Sequence, residues 1–324
     1  MTTHRERIQA AIRGEIIDRP PVALWRHFPV DDQAAETLAA AHLNYQSNYD
    51  FDLLKVTPAS SFCLKDWGVQ DEWAGDTEGT RRYTKRVIRE PGDWETLSVL
   101  EPASPHLSAQ LECLRLIRAN LGPDTPVLQT IFSPLAQAKN LAGNDLLLEH
   151  LRHHPGAVMK GLKTIAETTR LFIEAARSTG IDGIFYAIQH AQKQFLSLEE
   201  YRVFGLIFDR ETIEPAQDLW CNLLHLHGQQ VHFELAAELP FEIVNWHDRE
   251  TQPSLSEARQ MFKGAACGGM RQGTLVYRDA AEVRKEAAEA LQQTGGRHFL
   301  LGTGCVVPVI ASHGNIMAAK ESVV

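Results

Sequence analysis

Short runs of apolar residues recur along the chain, each followed by a longer stretch in which apolar positions return every three or four residues. The short runs, bounded by glycine, proline or polar clusters, predict strands at 22–25, 53–57, 127–132, 182–187, 221–226, 241–246, 265–270 and 298–302. The longer stretches predict helices at 31–47, 106–120, 156–179, 198–217, 254–262 and 279–293. Several open on a cap, as Ser197 does before Leu198-Glu199-Glu200, and close on glycine, as at Gly180 and Gly295-Gly296. Ahead of them, Thr3 and Glu6 spell a capping box for a first amphipathic helix that Gly14 ends, and Pro20-Pro21 then forces extended chain. Repeated strand-then-helix units imply a parallel sheet, and eight of them imply an α/β fold of the (β/α)8 TIM-barrel type. The segment 66–100 breaks the rhythm. Its charged, tryptophan-bearing text reads as a hairpin inserted after the second strand. Repeats, low-complexity tracts and linkers are missing, so 1–324 reads as a single domain.

Composition narrows the partners. A 324-residue chain that is 44% hydrophobic can bury a sizeable core, and a formal charge of -9 speaks against nucleic acid or an anionic membrane surface. A small-molecule substrate is the expectation. The five cysteines, at 63, 113, 221, 267 and 305, are odd in number and lack framework spacing, which points to free thiols in a reducing compartment. The amino terminus has no apolar signal-like core, and no run of eighteen apolar residues occurs, so a cytoplasmic location is expected.

Candidate chemistry gathers where strands end. In Leu223-Leu224-His225-Leu226-His227-Gly228 the two histidines are two apart, so a strand presents both imidazoles on one face. Alone, the pair reads more readily as buried histidines satisfied by carbonyls. The glycine-flanked cysteine after the last strand, Gly302-Thr303-Gly304-Cys305-Val306-Val307-Pro308, tips the reading. If those strand ends meet, His225, His227 and Cys305 form a three-ligand zinc site with a fourth position open for chemistry. Trp25-Arg26-His27, Tyr186 with Gln189, and Asn245-Trp246 follow other strands and are candidate substrate contacts, Arg26 and His27 for an anionic group. His190, His247 and Asp248 are candidates for proton transfer. Cys221 and Cys267 read as core packing, and Cys63 and Cys113 receive no role.

The stretches Asp18-Arg19-Pro20-Pro21-Val22, Gly180-Ile181-Asp182-Gly183-Ile184-Phe185, Leu224-His225-Leu226-His227-Gly228 and Gly302 to Pro308 with Asn315 resemble the uroporphyrinogen decarboxylase family, including its methyltransferase branch, over nearly the whole chain. The resemblance implies a (β/α)8 barrel. The decarboxylases have two arginines after Arg-Pro-Pro and an aspartate after the second strand. Here Arg26 matches the first arginine, Val30 stands at the second, and Lys55-Val56-Thr57-Pro58-Ala59-Ser60 holds no acid. The methyltransferase branch carries His-x-Cys and a distant Cys as zinc ligands, matched by His225 and Cys305, with His227 in place of the first cysteine. One thiolate leaves a divalent ion's site positive where two leave it neutral. The resemblance thus implies a zinc-dependent methyltransferase of a corrinoid-dependent system, its corrinoid carried on a partner protein. The alternatives are a carboxy-lyase of the decarboxylase type, or a barrel that binds a ligand without catalysis.

Overall fold

The computed structural model describes residues 2–16 and 18–323. Strand β1 (Leu54–Val56) is followed by an antiparallel hairpin of β2 (Gln70–Glu72) and β3 (Arg82–Lys85), and then by β4 (Val127–Phe132), β5 (Gly183–Ile188), β6 (Leu223–Leu226), β7 (Ile243–Trp246), β8 (Ala265–Met270) and β9 (Phe299–Thr303). Apart from the hairpin, these strands form one parallel sheet of seven, in the order β1-β4-β5-β6-β7-β8-β9. Every residue of the seven is buried, as befits strands covered on both faces.

The strand expected at 22–25 is not formed. That segment makes one parallel bridge, from Val22 to Leu301 of β9, while the Asp52 N–H donates to the Val22 carbonyl at 2.9 Å. It therefore lies between the two edges of the sheet. Pro20 and Pro21 have no N–H to offer a ladder, and the Val22 N–H goes to the Asp52 carboxylate at 2.8 Å instead of to backbone. Fully buried Asp52 also accepts from Arg19 at 2.6 Å and Arg7 at 3.1 Å and pairs with His4 at 2.8 Å. The Asp-Arg-Pro-Pro stretch is thus a clamp fastening the first helix (His4–Arg13, capped by Thr3 and Glu6) and the extended segment to β1. The Gly-Ile-Asp-Gly stretch is a second clamp. Asp182 accepts from the Val127 N–H and the Trp220 indole and pairs with Arg5, and a Cβ on Gly183 would stand 1.8 Å from the Cys221 carbonyl oxygen.

Expected helices appear at Ala35–Tyr49, Pro105–Asn120, Pro155–Arg177, Leu255–Met261 and Ala280–Thr294. The one expected at 198–217 is interrupted by a π turn over Arg202–Leu206. A π turn inserts one residue without advancing the helix face, so Tyr201 and Asp209, eight apart, share a side as i and i+7 would in an uninterrupted helix. The Tyr201 hydroxyl donates to Asp209 at 2.7 Å. Pro134–Ala142 and Asn144–His153 are helices that the periodicity did not show; the first is buried on nearly all sides and has no polar face to mark a period. His313–Glu321 was also unforeseen. Among the described residues no helix is long and apolar enough to cross a membrane.

Candidate metal centre

The centre is assembled from three strand ends. His225 lies on β6 and pairs in register with Asn245 of β7, and His227 and His247 follow those strands by one residue. Cys305 follows β9. One ligand atom from each of His225, His227, His247 and Cys305 falls within 4.8 Å of all the others, and the Cys305 Sγ is 3.8 Å from His227 Nδ1. Around a tetrahedral zinc ion, nitrogen and sulfur ligands stand roughly 3.3–3.7 Å apart, so small side-chain movements complete the fit. Gly304 lets the last loop come this close: a Cβ there would lie 2.7 Å from the His247 Cα.

Hydrogen bonds fix which imidazole nitrogen is free. The Asn245 amide nitrogen donates to the Cys267 and Thr303 carbonyls at 2.8 and 3.0 Å, leaving its Oδ1 as acceptor for His225 Nδ1–H at 2.6 Å. The His225 lone pair is therefore on Nε2. That atom and His247 Nε2 are buried and have no hydrogen-bond partner among the described residues. Leaving such atoms unpaired costs about 1–3 kcal/mol each, and an ion would relieve both. Burial, with the neighbouring imidazoles, holds His225 well below the ordinary histidine range, and burial with His247 and Lys139 holds His227 at about 3. Burial likewise lowers His247, and burial with Glu78 raises Cys305 to about 11. The histidines are thus neutral and ready to ligate, and the thiol must give up its proton.

Beside the cluster opens a cavity of about 480 Å³ at the carboxyl ends of the strands, with His225, His227 and Cys305 in its wall. The hairpin roofs it. Gly79, at φ +81°, sits where a Cβ would strike His27, the Val309 N–H donates to Thr77 at 2.7 Å, Arg81 pairs with Asp32, and the Gln272 amide reaches Glu78 at 3.1 Å.

Trp25, His27 and Gln189 line this cavity, whereas Arg26 lies behind it with its guanidinium 5.5 Å from the Phe28 ring centre. Tyr186 and Trp246 are outside. Phe185 and Ala187 face the cavity, so Tyr186, between them in a period of two, points toward the helices, where its hydroxyl donates to Asp209 at 2.6 Å. Trp246 alternates with inward Asn245 in the same way, and its indole donates to Pro253 at 2.8 Å. Asn245 orients His225 from beneath. His190 borders an adjoining amide-rich cavity of about 460 Å³ and meets Asn144 at 3.0 Å. Asp248 is turned to the Gly269 N–H at 3.0 Å, away from the metal cluster. Sequence reasoning missed Lys55, Glu78, Arg86 and Lys139 in the cavity wall. For Lys55 a signal existed: a lone charge inside an apolar strand is rarely there without a purpose. The four other cysteines are buried and unpaired.

Fold and site together define a class: an α/β protein whose parallel strands converge on a nitrogen-and-sulfur cluster suited to a soft or borderline metal ion. The chain belongs to the uroporphyrinogen decarboxylase family, whose model matches residues 3–323. No curated protein matches its sequence. A methyltransferase from Methanosarcina mazei has a similar structure at 18% identity, with a TM-score of 0.87 over 99% of this chain and 98% of that one. A B12-independent methionine synthase from Shewanella sp. W3-18-1, solved with selenomethionine, is similar at 14% identity and a TM-score of 0.58 over 94% and 92%. A putative B12-independent methionine synthase from Listeria monocytogenes gives 12% and 0.55 over 93% and 92%.

Proposed function

We propose that the chain is a zinc-dependent methyltransferase on a closed (β/α)8 barrel, in which the segment at Val22 serves as the eighth stave and which acts with a corrinoid carried on a partner protein. The observation that carries this reading is the convergence of two buried, unpartnered imidazole nitrogens, His225 Nε2 and His247 Nε2, with Cys305. The family and the methyltransferase neighbour support it. His225, His227 and Cys305 would hold zinc, which as a Lewis acid makes a thiol acidic and keeps it nucleophilic near neutral pH. His247 occupies the side expected to be open. Its Nδ1 lies 3.5 Å from Glu250. Beside bound zinc, His247 would be placed to take an acceptor's proton at Nε2, with Glu250 stabilising the resulting imidazolium. The roof over the cavity limits water, and Asn245 keeps His225 in the ligating tautomer.

Methyl transfer from methylcobalamin, standing in for the carried corrinoid, to small thiols tests the reading. Loss of the methyl-cobalt absorbance should require both added zinc and Cys305, and equal rates in Cys305→Ala would refute it. Metal uptake should itself release about one proton per chain at neutral pH, because Cys305, raised to about 11, is protonated and the imidazoles are already neutral. A pH-indicator titration with zinc counts it; release near zero would mean that the thiol is not a ligand.

The decarboxylase reading makes a different demand. Protonating a pyrrole carbon builds positive charge that a fixed carboxylate must stabilise. The cavity presents Lys55 on β1, which burial lowers to about 7, and among the described residues Glu78 is the sole acid in its wall. Uroporphyrinogen under anaerobic conditions is expected to yield no carbon dioxide above the enzyme-free rate, and catalytic release would favour the carboxy-lyase.

A further inference from the structure

Cavity, cations and aromatic rings together say what kind of molecule the site takes. Lys55, in the middle of β1, is 5% exposed, yet no carboxylate stands within salt-bridge distance and no acceptor receives its ammonium among the described residues. Its Nζ lies 4.4 Å from the Phe185 ring centre and 6.0 Å from that of Trp25. Ring faces soften the burial by roughly 0.5–2 kcal/mol, but they satisfy none of the three N–H donors. Burial pulls Lys55 from the ordinary lysine range down to about 7, so near neutral pH it keeps its proton only in part, and an anion beside it would hold the ammonium charged. The other cations of the wall are not equivalent. Arg81 is neutralised by Asp32, Arg82 by Glu72, and Arg86 is spent on the carbonyls of Lys139 and Asn140. Lys139, on the side nearer His227, is again without an acidic partner among the described residues.

The apolar side of the cavity is equally specific. Phe185 also stacks on His225, with ring centres 5.2 Å apart, so a single ring touches both the free ammonium and an imidazole of the metal cluster. Trp25 meets Phe185 edge-on at 5.2 Å, and Phe132 adds a third ring to the wall.

We propose that Lys55, assisted by Lys139, is the anion anchor of the cavity, and that its ligand is an organic acid with a flat or apolar body lying along Trp25, Phe132 and Phe185 toward the metal cluster. The proposal takes the cavity to be the substrate site of the methyltransferase reading, but its anchor does not depend on the ion. It also moves the anion contact from Arg26, which lies behind the cavity, to Lys55. Carboxylate and phosphate share the ammonium's chemistry, and the aromatic walls favour the carboxylate with an apolar body.

Isothermal titration calorimetry with benzoate, acetate and inorganic phosphate tests this on the wild type and on Lys55→Met, an unbranched replacement of similar length, each with and without bound zinc. Benzoate should bind the wild type more tightly than acetate or phosphate, and Lys55→Met should weaken it about tenfold or more, the loss of a charge-assisted hydrogen bond. Lys139→Met should weaken it less, and zinc content should be unchanged in both. Lys55-dependent binding that persists in the zinc-free protein would uphold the anchor even if the metal reading failed. Benzoate affinity unchanged by Lys55→Met, phosphate binding tighter than benzoate, or no heat from any probe at roughly 10 mM, a free energy weaker than about -3 kcal/mol, would overturn it. Should Lys55→Met melt well below the wild type, protection of the wild type by benzoate in a thermal melt, absent with acetate, decides instead; equal protection by both refutes the aromatic-acid assignment.

Discussion

Replacing Cys305 with alanine is expected to strip the centre of its metal. The wild type should purify with about one zinc per chain, and Cys305→Ala should fall close to zero, because the only thiolate and the only negative ligand of the cluster is gone. His225→Ala should do the same. His247→Ala is the informative contrast. Its imidazole sits on the fourth side, so zinc should be retained at lower affinity while methyl transfer to thiols falls, and full zinc loss in that variant would make the site a closed structural one. Asn245→Ala touches no ion and should still weaken zinc by roughly 10- to 100-fold, because His225 loses the acceptor that sets its tautomer. Elemental analysis and competition with a chromogenic chelator measure all four. Unchanged zinc in both Cys305→Ala and His225→Ala would remove the proposed centre.

The largest expected effect on stability lies outside the cavity, at Asp209. It is fully buried and accepts from the phenols of Tyr186 on β5 at 2.6 Å and Tyr201 at 2.7 Å. Asp209→Ala orphans two buried hydroxyls at about 1–3 kcal/mol each, so chemical denaturation should show a loss of several kcal/mol. Asp209→Asn keeps an acceptor and should lose less. The two also differ in pH dependence. Burial raises Asp209 to about 7 although both phenols pull it down. A carboxyl whose folded value lies above its unfolded value stabilises the protein below the unfolded pKa, and that contribution disappears as pH rises through the folded one. The stability of the wild type relative to Asp209→Asn should therefore fall from about pH 4 to about pH 7. An advantage that grows over this range would show that Asp209 is held ionised.

Most strands and the inserted hairpin were legible because each announces itself locally, through apolar runs, caps and glycine stops. Residues 22–25 were misleading in part: the segment bonds to both sheet edges, through the Ala23 N–H to Leu301 and the Asp52 N–H to Val22, but two prolines and the Asp52 carboxylate keep those bonds from extending into a strand ladder. Pro134–Ala142 was invisible for the opposite reason, since a helix buried all round has no polar face. At the site, His225, His227 and Cys305 could be paired from text because two share a strand face and the third sits in a glycine-bounded loop. Their convergence, and the arrival of His247, depend on β6 lying beside β7 and on Gly304 admitting the last loop.

What the sequence by itself determined is therefore most of the elements, the parallel α/β class and the identity of three candidate ligand side chains by type and spacing, which rest on patterns within a few residues. The tertiary structure decided which strand faces look inward, and so sent Tyr186 and Trp246 outward and Lys55 inward. It also made His247 a neighbour of Cys305 and left Lys55 without a carboxylate partner among the described residues. A residue's partners across a parallel sheet come from strand order and register, and a shift of one residue reverses every side chain, so only the assembled sheet assigns them.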